Sequence, residues 1–142
     1  MNYKRFIGLF ALLSMLLLVL AACGGSSTPS GSQEVQVTLT GTTITSSMMS
    51  FSAGVPYHFS VTNNGSAPQE FAMMAQGMDM DHMSMNDIHS NALHMIDTIA
   101  PGMTSTFDYT FASSMMGNNL EFGGNMSGHN TGWMRLPMKI NP

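Results

Sequence analysis

The chain has 142 residues and a formal net charge of −4, with four Lys or Arg residues against eight Asp or Glu residues. Lys4 and Arg5 stand near the N-terminus, so the rest of the chain carries only Arg135 and Lys139 against all eight acids. This balance argues against nucleic-acid binding, which needs basic patches, and it is compatible with cations as ligands. Methionine is the compositional outlier, since 17 residues are several times an ordinary share and cores rarely need so many.

A secretory signal is predicted at residues 1–22. Lys4 and Arg5 precede the apolar run FIGLFALLSMLLLVL, and small residues follow it. The apolar stretch is short for a membrane-spanning helix. LAAC at residues 20–23 resembles the lipobox of bacterial lipoproteins, which implies cleavage before Cys23 and lipidation of that residue. The alternative is a plain secreted protein with a chance cysteine.

Cys23 is the only cysteine of the chain. If it carries lipid, the mature protein has neither a free thiol nor a disulfide, and two or more acyl chains anchor it stably to a membrane. Residues 23–33 then form the lipidated cysteine and a flexible Gly/Ser-rich tether, and residues 34–142 form one small domain. We therefore expect the domain on the extracytoplasmic face of the cell envelope, anchored to the membrane.

Alternating apolar and polar residues predict an all-β domain. The clearest strands are EVQVTLTG, YHFSVTNNG, TSTFDYTF and MRLPMKI. Shorter runs at Thr43–Thr45, Glu70–Met74, Ile96–Ile99 and Asn119–Phe122 bring the expected number to seven or eight. Many short strands separated by turn signals such as SAGVP and APGMT indicate a β-sandwich or a barrel.

One segment, residues 75–95, breaks the strand pattern and is interpreted as an insertion, which in a compact domain is usually functional or disordered. From Met73 to Met95 the chain holds seven Met and three His in 23 residues. If the segment is helical, spacings of four, three and four place Met78, His82, Met85 and His89 on one face.

The Met and His residues of this insertion are candidate copper ligands. Thioether sulfur is soft and carries no proton, so it suits Cu(I) in an oxidising compartment, whereas imidazole binds Cu(I), Cu(II) and zinc alike. Cu(I) is therefore favoured, and Cu(II) is possible. The candidate ligands here are Met78, Met80, His82, Met83, Met85, His89, His94 and Met95.

Two other interpretations of the methionines stay open. Core packing is favoured for Met103, Met115, Met116 and Met138, but the insertion alternates Met with Asp, Ser, Asn and Gly and lacks a continuous apolar face to bury. The insertion could instead be a mobile loop that scavenges oxidants, since methionine sulfoxide is reversible.

The late segment LEFGGNMSGHNTGWM, residues 120–134, carries a family resemblance together with FSAGVPYHFSVTNNGSAPQEF and APGMTSTFDYTF. Over roughly residues 34–142 the chain resembles the cupredoxins, small blue-copper-like proteins, which implies a Greek-key β-sandwich. In that family a His precedes a segment of the type "EF", and the late loop supplies Cys, His and Met.

The match to these copper ligands is partial. His129 and Met134 fit the late His and Met, whereas Gln69 stands at the first His and Gly124 at the Cys. Because a blue-copper centre needs its thiolate, the resemblance implies a cupredoxin-like domain that has lost this centre. His129 and Met134 are kept as candidate metal ligands.

These patterns predict a membrane-anchored copper-binding lipoprotein that stores, buffers or delivers copper, with an extracytoplasmic donor or acceptor protein as its partner. No enzyme signature is present, so we expect a non-catalytic protein. The first alternative is an electron-transfer cupredoxin with an atypical, Cys-free copper site. The second is an interaction scaffold that binds no metal.

Overall fold

The computed structural model describes residues 31–127 and 132–142. The predicted signal, Cys23 and His129 lie outside these residues. No helix within the described residues has the length and apolar character needed to cross a membrane.

The described chain forms nine strands in two sheets. The four-stranded sheet has the order β2-β1-β4-β7 and the five-stranded sheet the order β3-β9-β8-β5-β6. The strands are β1 Gln33–Leu39, β2 Ile44–Ser46, β3 Ser50–Ser52, β4 Pro56–Asn63, β5 Gln69–Ala75, β6 His94–Ile99, β7 Thr104–Thr110, β8 Asn119–Met126 and β9 Met134–Asn141. A short 3₁₀ helix, Ser113–Met115, follows β7. The sequence prediction missed only β3, a three-residue strand too short to show alternation.

An aromatic core fills the space between the sheets because each strand alternates its side chains between two faces. Tyr57, Phe59 and Val61 of β4 point inward, and Phe71 and Phe122 reach them from the five-stranded sheet. The rings of Phe59 and Phe107 stack with centroids 4.8 Å apart. Burial of these rings is the main source of stability for a domain of this size.

The insertion does not form a single helix that carries Met78, His82, Met85 and His89. Gly77, at φ +85°, turns the chain out of β5, and the helix, α1, spans only Met85–Asn91. Ser84 caps α1 by accepting a hydrogen bond from the backbone N–H of Asp87. Met78 and His82 therefore precede the helix and do not share a helical face with Met85 and His89.

Two of the methionines expected in the core lie at the surface. Met138 is buried and Met115 packs against the core, as predicted. Met103 and Met116 are exposed, at 59% and 45%. Both lie in connections between strands, where alternation no longer dictates which side chains face inward.

Candidate metal centre

The position expected for a copper-binding thiolate is filled by other side chains. Gly124 lies in β8 with its α-carbon facing the aromatic core. A Cβ atom at this position would lie 2.9 Å from Leu39 Cδ2 and 3.0 Å from Met134 Cε. Gly124 therefore has neither a thiolate nor the space for one while Leu39 and Met134 stay in place.

The position expected for the first histidine ligand holds a buried amide. Gln69 is fully buried, and its Nε2 atom donates to the carbonyl of Thr40 at 3.4 Å. Gln69 Oε1 has no hydrogen-bond partner among the described residues. Met134, the predicted late ligand, is half-buried and packs against the aromatic core. The donor set described here, one amide and one thioether, does not fit a blue-copper centre.

A second cluster of buried side chains covers the outer face of the five-stranded sheet. It consists of six methionines packed around Trp133, Ala72 and Ile88. We call this group the thioether cluster, and its methionines are Met74, Met78, Met80, Met83, Met85 and Met95. Met74 and Met80 are fully buried, and the other four are partly buried. The expectation that the insertion has no apolar face to bury was therefore wrong, because its turns bring methionines of irregular spacing to one surface.

Strand alternation and a glycine explain why the cluster forms at this place. Ala72 and Met74 lie on the outer face of β5, since their neighbours Phe71 and Met73 face the aromatic core. Gly123 of β8 leaves room above the sheet. A Cβ atom there would lie 3.1 Å from Met80 Cε, 3.2 Å from Met80 Sδ and 3.1 Å from Trp133 Cε3. Met80 and the indole of Trp133 thus rest on the same glycine.

Met74 is a cluster member that the sequence prediction did not include among the ligands. It adjoins Met73 in the sequence, but the two side chains point to opposite faces of β5. The alternation of side chains along β5 could have indicated that Met74, unlike Met73, faces the insertion. Trp133 also belongs to the cluster, although it was not among the predicted ligands: it is buried, and its Nε1 atom has no hydrogen-bond partner among the described residues.

A charged network holds the insertion against the sheet at the edge of the cluster. Arg135 Nη1 donates to the carbonyl of Met78 at 2.6 Å and to Glu121 Oε1 at 2.8 Å. Asp81 Oδ1 accepts from the backbone N–H groups of Gly132 and Trp133, at 2.9 and 3.2 Å. Asp81 Oδ2 lies 3.9 Å from Arg135 Nη2. These contacts hold the backbone at both Met78 and Trp133, so they order the turn that carries Met78 and Met80.

The histidines of the insertion lie outside the thioether cluster. His82 is exposed and bonds to Asp79 at 2.9 Å, and this hydrogen bond, followed by the charge of Asp79, raises the pKa of His82. His89 Nε2 lies 3.2 Å from Asp97 on the surface.

His94 faces away from the cluster, although its neighbour Met95 belongs to it. Its ring stacks on Phe107 with centroids 3.7 Å apart, and burial lowers the pKa of His94. The structure thus brings together the five thioethers predicted in the insertion, whereas the three imidazoles predicted there, and Met134 on the inner face, lie apart from them. Within the described residues, no three His, Cys, Asp or Glu side chains lie close enough together to hold a metal ion.

Many solved structures resemble this one, and three of them show the extent of the likeness. One is the Na-dithionite-reduced auracyanin of the photosynthetic bacterium Roseiflexus castenholzii (TM-score 0.58, 18% identity, covering 79% of this chain and 99% of that chain). The second is auracyanin B (TM-score 0.59, 14% identity, covering 81% and 93%). The third is an azurin of the methylotroph Methylomonas sp. strain J (TM-score 0.52, 16% identity, covering 79% and 100%).

The sequence matches no protein-family profile and no curated protein. At such low identities the structural likeness concerns the fold, and it confirms the predicted cupredoxin-like β-sandwich.

Proposed function

We propose that this protein of cupredoxin-like fold binds Cu(I) through the thioether cluster and stores, buffers or delivers copper outside the cytoplasm. The proposal depends on one observation above all: six methionines from the insertion, β5 and β6 converge around Trp133 on one face of a sheet. The role is one of binding, with no catalytic step.

The chemistry of the cluster suits a soft cation. A thioether needs no deprotonation before it binds a metal, and its polarisable sulfur prefers Cu(I) to harder ions. The indole face of Trp133 can add cation–π stabilisation. Met78, Met83, Met85 and Met95 are only partly buried, so an ion from solvent would meet them before the fully buried Met74 and Met80.

The choice of side chains also favours binding over packing alone. A small apolar core can be built from Leu and Ile, whose rotamers are better defined than those of Met. In the thioether cluster, Ile88 is the one residue with a branched aliphatic side chain, whereas six residues are Met.

The packing around Gly124 argues against the alternative of an electron-transfer protein. A blue-copper site needs a thiolate, and Leu39 and Met134 occupy the space beside this glycine. A storage or delivery role requires no such centre. The predicted signal and the lipobox-like LAAC at Cys23 support a membrane-anchored protein of the cell envelope. Its partner in a storage or delivery role would be a copper donor or acceptor protein.

A Cu(I) competition titration of the full chain in mild detergent tests this proposal. The test variant replaces the six cluster methionines by Leu, a swap that conserves volume and costs little stability per site. A matched control replaces four exposed methionines by Leu, at Met49, Met103, Met116 and Met126. We expect tight binding by the wild type and the control, and a loss of about a hundredfold or more in the test variant. Equal affinity in all three proteins would overturn the proposal.

A further inference from the structure

The thioether cluster contains no side chain that carries a charge. Its members are thioethers, an indole, Ala72 and Ile88. A metal ion held there keeps its full charge, because its ligands cannot neutralise it. Placing a charge among apolar groups is costly unless an opposite charge lies near.

Negative charge lies at the edge of the cluster. Glu121 is almost fully buried, with a side chain 4% exposed, and it pairs across the strands with Met74. Asp81 follows the buried Met80 directly and binds the backbone of Trp133. Arg135 is the only cation of this network, and Glu70 is buried on the same strand face as Ala72. In this network the two carboxylates of Glu121 and Asp81 therefore face the one guanidinium group of Arg135.

We propose that the cluster is selective for soft monovalent cations, Cu(I) and Ag(I), and that the carboxylates of Glu121 and Asp81 balance the charge of the bound ion. This inference rests on the proposed function and adds its substrate class and two positioning residues. Divalent ions are disfavoured because the cluster offers no imidazole or carboxylate ligand, which Zn(II) and Cu(II) prefer.

Glu121 is the main residue through which charge balance can be tested. Its carboxylate accepts from Arg135, which in turn holds the carbonyl of Met78. Glu121→Gln keeps the size of the side chain and an acceptor oxygen for Arg135 while it removes one negative charge. Asp81→Asn removes a charge at a half-buried site, so it reports on the same effect if Glu121→Gln fails to fold.

Fluorescence of Trp133, the only tryptophan of the chain, gives a readout inside the cluster. Ag(I) is added to the full chain in mild detergent, with and without excess Zn(II). The matched control is Asp108→Asn, which removes a charge from an exposed residue of the four-stranded sheet. Circular dichroism verifies that each variant is folded.

We expect Ag(I) to change the fluorescence of the wild type even in excess Zn(II). Glu121→Gln should weaken Ag(I) affinity about tenfold, and Asp81→Asn somewhat less, whereas Asp108→Asn should leave it unchanged. Competition by Zn(II) would overturn the inference, and so would equal affinities of Glu121→Gln and Asp108→Asn.

The two proposals fail in different ways. If the six Met→Leu substitutions leave Cu(I) and Ag(I) binding intact, the proposed function itself is wrong. If binding depends on those methionines but Zn(II) competes or the carboxylate variants have no effect, only the monovalent selectivity is wrong.

Discussion

The two faces of the five-stranded sheet are made by the same strands and serve different purposes. The inner face contributes Phe71, Met73 and Phe122 to a tightly packed aromatic core. The outer face contributes Ala72, Met74 and the bare surface of Gly123, on which the insertion lays its methionines. The inner face accounts for the cupredoxin-like fold. The outer face holds the thioether cluster on which the proposed copper binding depends.

The two faces also differ in what fills the space beside two adjacent glycines of β8. On the inner face, Leu39 and Met134 fill the space beside Gly124, where the resemblance to cupredoxins would place a cysteine ligand. One residue away, Gly123 makes space for Met80 and Trp133 on the outer face. The space beside Gly124 is thus filled by the core, whereas Gly123 makes room for the cluster that we propose to bind copper.

The largest contrast in stability is expected between substitutions on the two faces. Phe59→Ala removes a fully buried ring that stacks on Phe107, and it should cost about 3–5 kcal/mol. Met80→Leu on the outer face conserves volume and should cost less than about 1.5 kcal/mol. Urea unfolding followed by circular dichroism measures both. Similar losses in the two variants would contradict the division between a stabilising core and a binding cluster.

Gly124→Cys tests whether the inner face has closed. The new Cβ would press on Leu39 and Met134, so we expect a loss of about 1–3 kcal/mol from overpacking. Combining it with Leu39→Ala should give a smaller loss than the sum of the two single variants, since the cavity accepts the new side chain. Strict additivity in urea unfolding would show that the space is already free.

Oxidation by hydrogen peroxide should follow the exposure of each methionine. Met49, Met103, Met116 and Met126 are 41–59% exposed, whereas Met74 and Met80 are fully buried. We expect the exposed four to oxidise at least about tenfold faster than the buried two. Mass spectrometry of peptides over time measures the rates. Early oxidation of Met74 and Met80 would instead favour the alternative that the insertion is a mobile loop that scavenges oxidants.

The smallest expected effect concerns His94. Burial lowers its pKa below the ordinary value of 6.5, so the unfolded chain binds a proton more readily than the folded one. The contribution of this histidine to stability is therefore present above pH 6.5 and is lost as the pH falls through the folded-state pKa. His94→Phe, which can still stack on Phe107, should show a weaker decline on acidification in urea unfolding. An equal decline in both proteins would assign the effect to other groups.

Alternation was sufficient to predict the strands because it determines which side chains are buried, and the resemblance to cupredoxins then distinguished a sandwich from a barrel. The long strands at Pro56–Asn63 and Thr104–Thr110 follow a clear period of two, and only the three-residue β3 was missed. The sequence also identified Gln69 and Gly124 as departures from the cupredoxin ligand pattern. They occupy the positions of its first His and its Cys, and the residues around them match the pattern.

The arrangement of the insertion could not be predicted, since its contacts join residues far apart in the chain. Asp81 binds the backbone of Trp133, and Arg135 binds the carbonyl of Met78. No local period encodes such pairs. The same limit explains why His94 and Met95, neighbours in the sequence, were expected together and lie on opposite faces of β6.

X-ray absorption spectroscopy of the Cu(I)-loaded full chain tests the central claim most directly, because it identifies the atoms bound to the metal. The thioether cluster predicts a first shell made of sulfur, and the shell should disappear in the variant with six Met→Leu substitutions. A first shell of nitrogen or oxygen atoms would place the copper on histidines or carboxylates and would contradict a site on the outer face of the sheet.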